Sequence, residues 1–304
     1  MPPFPVPVDL DFVEPDEVRA VLEDCVSGDA SPPISLARLL LAMDRVEDVE
    51  ELLKSLRDVE PLAEMGRLLR EHRSGCEDAA VILHDHPDVV QSRLPPGEVI
   101  DEHRRFFDRA VILNEEASVA AYSLGDPNLL DAYTAEIVDL LEEWQVLGPD
   151  RVSLEIGCGI GRIQTALAPT VRESHGIDIS ENMIAAARRR CEGIENVYLS
   201  RCSGRDLDGF EDSSLDLVLA ADSFPYIYQG GRGLVTAHFE EIRRVLGPGG
   251  DFVLLNYSYR ASRDADRRDV QRLCRKYGLE LIVPGTEPFR LWDGDAYHIR
   301  RRST

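Results

Sequence analysis

The stretch Leu154-Glu155-Ile156-Gly157-Cys158-Gly159-Ile160-Gly161-Arg162 decides how this chain folds. Val152-Ser-Leu-Glu-Ile156 leads into it as a short apolar strand, and Ile163, Ala166 and Leu167 follow at helical spacing. Glycines between a strand and a helix permit a tight turn and let a ligand approach the backbone closely. The spacing is GxGxG rather than the GxGxxG of a dinucleotide fingerprint, and Arg162 stands where the third dinucleotide glycine would be. No GK[ST] follows, so this is not a Walker phosphate loop. Glu155, two residues before the loop, is a poor neighbour for a pyrophosphate. It suits a ligand that carries an ammonium group and a sulfonium.

Working outward, Gly176-Ile177-Asp178-Ile179-Ser180 ends the next strand, Ser174–Ile177, about 20 residues after the loop. An acid at that point can accept both ribose hydroxyl protons, and Ser180 can cap the following helix, which leaves Asp178 for the ribose. Strand then alternates with helix. Val197–Ser200 and Leu215–Ala220 are strands, the second apolar on both faces as a central parallel strand should be. Phe239, Ile242, Val245 and Leu246 form a helix stopped by Gly247-Pro248-Gly249-Gly250, with strand Phe252–Leu255 after it. Val270, Leu273, Cys274 and Tyr277 mark the last helix. Glu280–Val283 and Ala296–Ile299 close the chain without a helix between them, so they are expected to pair antiparallel. The fold class is therefore α/β with a doubly wound sheet, whose ligands bind beyond the carboxyl ends of the strands.

Upstream, residues 1–94 read as an all-helical domain. Val49, Leu52, Leu53 and Leu56 recur at helical spacing, as do Leu62, Met65, Leu68 and Leu69. Arg93-Leu-Pro-Pro-Gly97 is the candidate linker, which gives domains 1–94 and 95–304 with the α/β core from about residue 116. The helical domain is a candidate lid, docking module or homodimer surface. His72, Cys76, His84 and His86 cluster there at no standard zinc spacing, so no metal is expected.

The 304 residues contain 34 basic and 56 acidic side chains, a net charge of −22. A field of that sign repels nucleic-acid phosphates and anionic lipid, and favours neutral or cationic small molecules or peptides. No apolar run approaches the ~20 residues that span a bilayer, and the start lacks the pattern of a secretory signal. The six scattered cysteines read as reduced thiols. The expected location is the cytoplasm.

Four elements carry a resemblance to a known family. Glu155–Gly161 resembles the ExGxGxG first motif of class I S-adenosylmethionine-dependent methyltransferases, and Asp178-Ile-Ser-Glu-Asn-Met183 is similar to their D-x-S-x-x-M segment. Ser213–Val218 resembles their fourth strand, with Leu215 in place of the usual Phe, and Arg243–Gly250 their turn before strand five. The resemblance covers about residues 116–304. It implies a seven-stranded sheet in the order 3-2-1-4-5-7-6 with strand seven antiparallel. It also implies S-adenosylmethionine as cofactor and S-adenosylhomocysteine as product. Gly157, Cys158, Gly159, Gly161 and Arg162 would line the methionyl part, with Glu155 holding the ammonium group directly or through water. Asp178 would bind the ribose, and Ile179 and Met183 would pack on adenine. Gly204, Arg205 and Asp206 would approach the adenine edge, where the family's usual G-D pair is interrupted by Arg205. Ala221, at the end of strand four, would also contact the cofactor. Tyr122 is similar to an aromatic placed over the methionyl end, and as a residue it reads equally well as packed core.

Methyl transfer is an in-line displacement at a carbon the sulfonium already activates, so the protein aligns a nucleophile and excludes water. The candidate catalytic residues lie just after strand four, in Asp222-Ser-Phe-Pro-Tyr226-Ile-Tyr228. Asp222 suits a base or an ammonium anchor, or else a cap. Tyr226 and Tyr228 suit the wall of a cation or aromatic pocket, or else core packing. His238 reads as a surface or core residue. The leading function is methyl transfer to an oxygen or nitrogen of a small molecule or peptide. The alternative is a regulatory or scaffold protein that binds S-adenosylmethionine without catalysis. A nicotinamide-dependent oxidoreductase is disfavoured by the GxGxG spacing.

Overall fold

The structure is a computed structural model that describes residues 10, 12–87, 94–260 and 262–303. The chain divides into two compact units, each built from several segments: residues 1–86, 110–133 and 290–293 in one, and 87–109, 134–289 and 294–304 in the other. A single cut at 94/95 is the sequence expectation; the observed units interleave along the chain.

In the first unit, helices α1 (Asp16–Ser27), α2 (Pro32–Ala42), α3 (Val46–Ser55), α4 (Leu62–Glu71) and α5 (Arg73–His84) follow one another through short turns. Pro32 and Pro33 sit at the start of α2, where the missing N–H costs nothing. The inward faces of these helices converge on a core that includes Leu22, Leu36, Leu39, Leu53, Met65 and Leu69. Leu52 and Leu68 pack only partly buried against it. His84 Nε2 lies 3.0 Å from the Leu40 carbonyl, and His72 faces Asp126 at 3.4 Å. Among the described residues no group of three or more His, Cys, Asp or Glu side chains could hold a metal ion.

Helix α6 (Pro96–Leu113) opens where the linker was expected. Pro96 stands in its first turn, where proline is tolerated, so Pro96 and Gly97 are helix; Arg93 lies outside the described residues. After α7 (Glu115–Val119) and α8 (Pro127–Glu143), the second unit builds its sheet from β1 (Gly148–Ile156), β2 (Val171–Asp178), β3 (Val197–Arg201), β4 (Leu215–Ala221), β5 (Leu246–Leu255), β6 (Leu279–Thr286) and β7 (Ala296–Arg301). The order is β3-β2-β1-β4-β5-β7-β6. β1 to β5 run parallel, and β7 pairs antiparallel with both β5 and β6. The expected order and the antiparallel closing pair are both present.

Helices α9 (Arg162–Leu167), α10 (Glu181–Arg190), α11 (Phe224–Gln229), α12 (Arg232–Val245) and α13 (Arg263–Tyr277) connect the strands. Gly247–Gly250 was read as a turn but belongs to β5, because Leu246 already pairs with Leu215. An irregularity before Asp251 pairs with Leu217 absorbs the glycines as a bulge. Nearer the amino ends of the strands, the fully buried Asp251 accepts hydrogen bonds from Arg151 (3.0 Å), His298 (2.8 Å) and Arg300 (2.8 Å). Chain order reverses between β1 and β4, which puts the topological switch point at the carboxyl ends of those two strands. No helix among the described residues is long and apolar enough to cross a membrane.

Candidate cofactor and acceptor site

The glycine loop leaves β1 at the switch point. Gly157, Gly159 and Gly161 all have positive φ. At Gly157 the requirement is twofold, since φ is 75° and a side chain there would collide with Ser223 Cβ. Ser223 in turn donates its hydroxyl to the Ile156 carbonyl. The loop after β1 and the segment after β4 are thus stitched together, and Asp222 and Tyr226 lie on the same end of the sheet as the glycines.

Asp178 ends β2 and is buried. Its Oδ2 accepts from Gly159 N (3.0 Å) and its Oδ1 from Ser180 N (2.8 Å). A carboxylate offers about four lone-pair directions, so each oxygen keeps one for a diol. Burial raises the acid to about 6, against the opposing pull of those two N–H groups. Ser180 accepts from Met183 N (3.1 Å) and caps α10, as expected. It also donates to Asp108 of α6 (2.6 Å), which accepts from Asn182 N as well, so α6 supplies a negative charge to the start of α10. Met183 is buried on the inward face of α10, and Ile179 is half-buried.

Glu155 is also buried, and burial raises it to about 7. Gln164 Nε2 donates to its Oε2 at 2.7 Å, and the Arg162 charge opposes the rise. Arg162 is itself buried and donates to Thr134 at 3.0 Å. Gln164 escaped the sequence reading: one amide on a helix carries no pattern. The Cys158 thiol is buried and raised well above its ordinary value by burial.

On the other side of Asp178, Gly204 lies so close to Ile179 that a Cβ would come within 2.7 Å of its Cγ2 and within 3.2 Å of Ile100 Cγ2. Gly204 therefore packs closely on these two apolar side chains, one of which directly follows Asp178. Arg205 is exposed, with its guanidinium over Gly97, and Asp206 accepts from Ser203 at 3.1 Å. Ala221 pairs with Leu255 at the last rung of β4 and β5. Tyr122 belongs to the helical unit, its ring centroid 4.5 Å from that of Tyr133.

Asp222 stands just past β4 with φ 57° and accepts at Oδ1 from Tyr259 OH (2.9 Å) and Asn256 Nδ2 (3.0 Å). The Tyr226 ring meets Tyr259, His103 and Phe107 edge-on, with centroids 5.8, 5.0 and 5.0 Å away. Burial and the nearby Asp222 charge push the Tyr226 phenol far above its ordinary value. His103, Phe107, Asn256 and Tyr259 surround Asp222 and Tyr226 and carry no signal in the sequence. Tyr228 follows the packing alternative: it lies against the sheet core, its hydroxyl accepts from Arg260 Nη1 (3.1 Å), and the same guanidinium lies over its ring at 5.2 Å. Asp266 and Asp269 neutralise that cation. His238 is buried, with Nδ1 donating to the Leu234 carbonyl, and burial lowers its basicity.

Residues 154–254 match a family model described as a methyltransferase domain. The chain is 31% identical over 131 residues to a demethylmenaquinone methyltransferase of Tropheryma whipplei, covering 43% of this chain and 49% of that one. It is 25% identical over 164 residues to an S-adenosyl-L-methionine-dependent Diels-Alderase, iccD, of Talaromyces variabilis, covering 53% of each. It therefore spans about half the length of these curated relatives. Among solved structures, phosphoethanolamine N-methyltransferase 1 of Haemonchus contortus superposes with a TM-score of 0.54 at 17% identity. That match covers 70% of this chain and 51% of that one, and it supports the fold. Sheet order, glycine loop and family match agree: residues 154–254 belong to a methyltransferase domain of the class I S-adenosylmethionine-dependent type.

Proposed function

We propose that the protein transfers a methyl group from S-adenosylmethionine to an oxygen or nitrogen of a small molecule or peptide. The observation that carries the proposal is the stitch of Ser223 to Ile156 and Gly157, which sets Asp222 and Tyr226 beside the glycine loop. The cofactor, when bound, supplies a methyl carbon already activated by the sulfonium. Asp178 holds the ribose, Ile179 and Met183 pack on the base with Gly204 at its edge, and Glu155 offsets the ammonium charge. Asp222 takes a proton from the acceptor or anchors its cationic group. Tyr226, with the rings packed on it, keeps water from the reacting atoms. Self-association through the helical unit belongs to the same proposal, as does a cytoplasmic location.

The test is turnover. Purified protein is incubated with methyl-labelled S-adenosylmethionine and panels of amines, phenols, hydroxylated metabolites and peptides, and S-adenosylhomocysteine release is followed. Acceptor-dependent release that Asp222→Asn abolishes is the expected result. A second reading, cofactor binding without methyl transfer, draws on the likeness to the Diels-Alderase. Tight S-adenosylmethionine binding with no release across the panels would replace the first reading with the second.

A further inference from the structure

We propose that Asn256 and Tyr259, in the segment beyond β5, are positioning residues that hold the Asp222 carboxylate in one orientation at the acceptor. The inference rests on the role given to Asp222 above. Ala221 and Leu255 form the last rung of β4 and β5, so Asp222 and Asn256 leave adjacent strands at the same level. Asp222 N still donates to the Leu255 carbonyl at 3.0 Å. Both residues then adopt left-handed backbone, with φ 57° and 60°. Aspartate and asparagine are the non-glycine residues that take this conformation most readily, and here it turns both side chains toward each other beyond the last rung.

The Asn256 amide has only one orientation open to it. Its Oδ1 accepts from Asp295 N (2.9 Å), while Asn256 N donates to the Asp295 carbonyl (2.8 Å). Turning the amide over would set its NH₂ against an N–H, so Nδ2 must face Asp222. Tyr259 delivers a second donor to the same oxygen, and its ring meets that of Tyr226 edge-on. Two donors on Oδ1 fix the plane of the carboxylate and hence the direction of Oδ2. Donors to the ionised form also favour it. The titratable neighbours are the phenols of Tyr226 and Tyr259, with the His103 ring beyond them on α6.

The experiment follows Asp222 directly and needs no acceptor. Protein labelled with ¹³C at the aspartate carboxyl carbons is titrated by NMR, and the Asp222 signal is identified by its loss in Asp222→Asn. The same titration is run on Asn256→Ala and Tyr259→Phe, with S-adenosylhomocysteine affinity measured by calorimetry on each. The Asp222 midpoint is expected to rise by about one pH unit in each variant, since each loses one hydrogen bond to the charged form. Affinity for S-adenosylhomocysteine should stay within about twofold. An unmoved midpoint in Tyr259→Phe that still binds S-adenosylhomocysteine overturns the proposal, whatever Asn256→Ala does to folding. A wild-type protein that ignores S-adenosylhomocysteine sinks the functional reading instead, and the titrations remain interpretable without it.

Discussion

Asp178→Asn removes a charge and nearly preserves shape, so it separates what Asp178 does for the ribose from what it costs the fold. Burial raises the carboxyl from its ordinary 3.8 to about 6. That gap of roughly two pH units is worth about 3 kcal/mol. The folded state holds the proton more tightly than the unfolded chain. This contribution is therefore complete below about pH 4 and is lost as the pH rises through about 6. The asparagine variant has nothing to lose over that range. Its amide has one oxygen for the two N–H groups of Gly159 and Ser180, at a pH-independent cost of about 1 kcal/mol. Without ligand the variant should be about 1 kcal/mol less stable at pH 4 and about 2 kcal/mol more stable at pH 7.5. Glu155 titrates in both proteins and cancels to first order. Affinity for S-adenosylmethionine should fall by about 1–3 kcal/mol, or roughly 5- to 150-fold. Urea unfolding at four pH values and calorimetry at pH 7.5 read both quantities. Unfolding curves that shift in parallel with the wild type would refute the buried charge, and unchanged affinity would refute the ribose contact.

Three further outcomes follow from the same geometry. Gly157→Ala should destabilise the protein by about 2–4 kcal/mol, combining overpacking against Ser223 with left-handed backbone, and denaturant midpoints will show it. Glu155, raised to about 7 by burial, should make S-adenosylmethionine affinity fall as much as tenfold per pH unit below pH 7, whereas Glu155→Gln should bind weakly with a flatter profile in calorimetry from pH 6 to 8. Asp251→Ala should cost about 1–3 kcal/mol in thermal or urea unfolding, chiefly because the buried His298 loses its acceptor while the partly exposed Arg151 and Arg300 stay solvated, and cofactor affinity should stay unchanged. Burial pushes the Asp251 carboxyl up, but hydrogen bonds and charge from His298 and Arg300 outweigh it and hold the group below its ordinary value. The stability it gives is present above that value and is lost as the pH falls through the lowered one.

The cofactor half of the site was legible because it is local in sequence. Glycine turn, capping serine and Asp178 each sit at a strand end, and their spacing reflects one βαβ unit. Of the proposed acceptor half, the sequence singles out only Asp222 and Tyr226. Its other members arrive from α6 and from beyond β5, more than 100 residues apart in the chain, and a lone histidine or asparagine has no periodicity to betray it. For Tyr228 the sequence leaves pocket wall and core packing both open, because only packing shows that Arg260 covers it. The Gly247–Gly250 run was read as a turn because a bulge and a turn use the same residues.

The interleaving of the two units has a consequence for engineering the protein. The helical body draws on residues 1–86, 110–133 and 290–293, so the backbone passes from one body to the other five times. Cutting near residue 94 would orphan Ala110–Tyr133 and Arg290–Asp293, leaving a fragment with raw apolar surface. A chimera that exchanges the helical body with that of a relative must be spliced at every crossing, and a protease nick at any one of them should leave fragments held together by the rest.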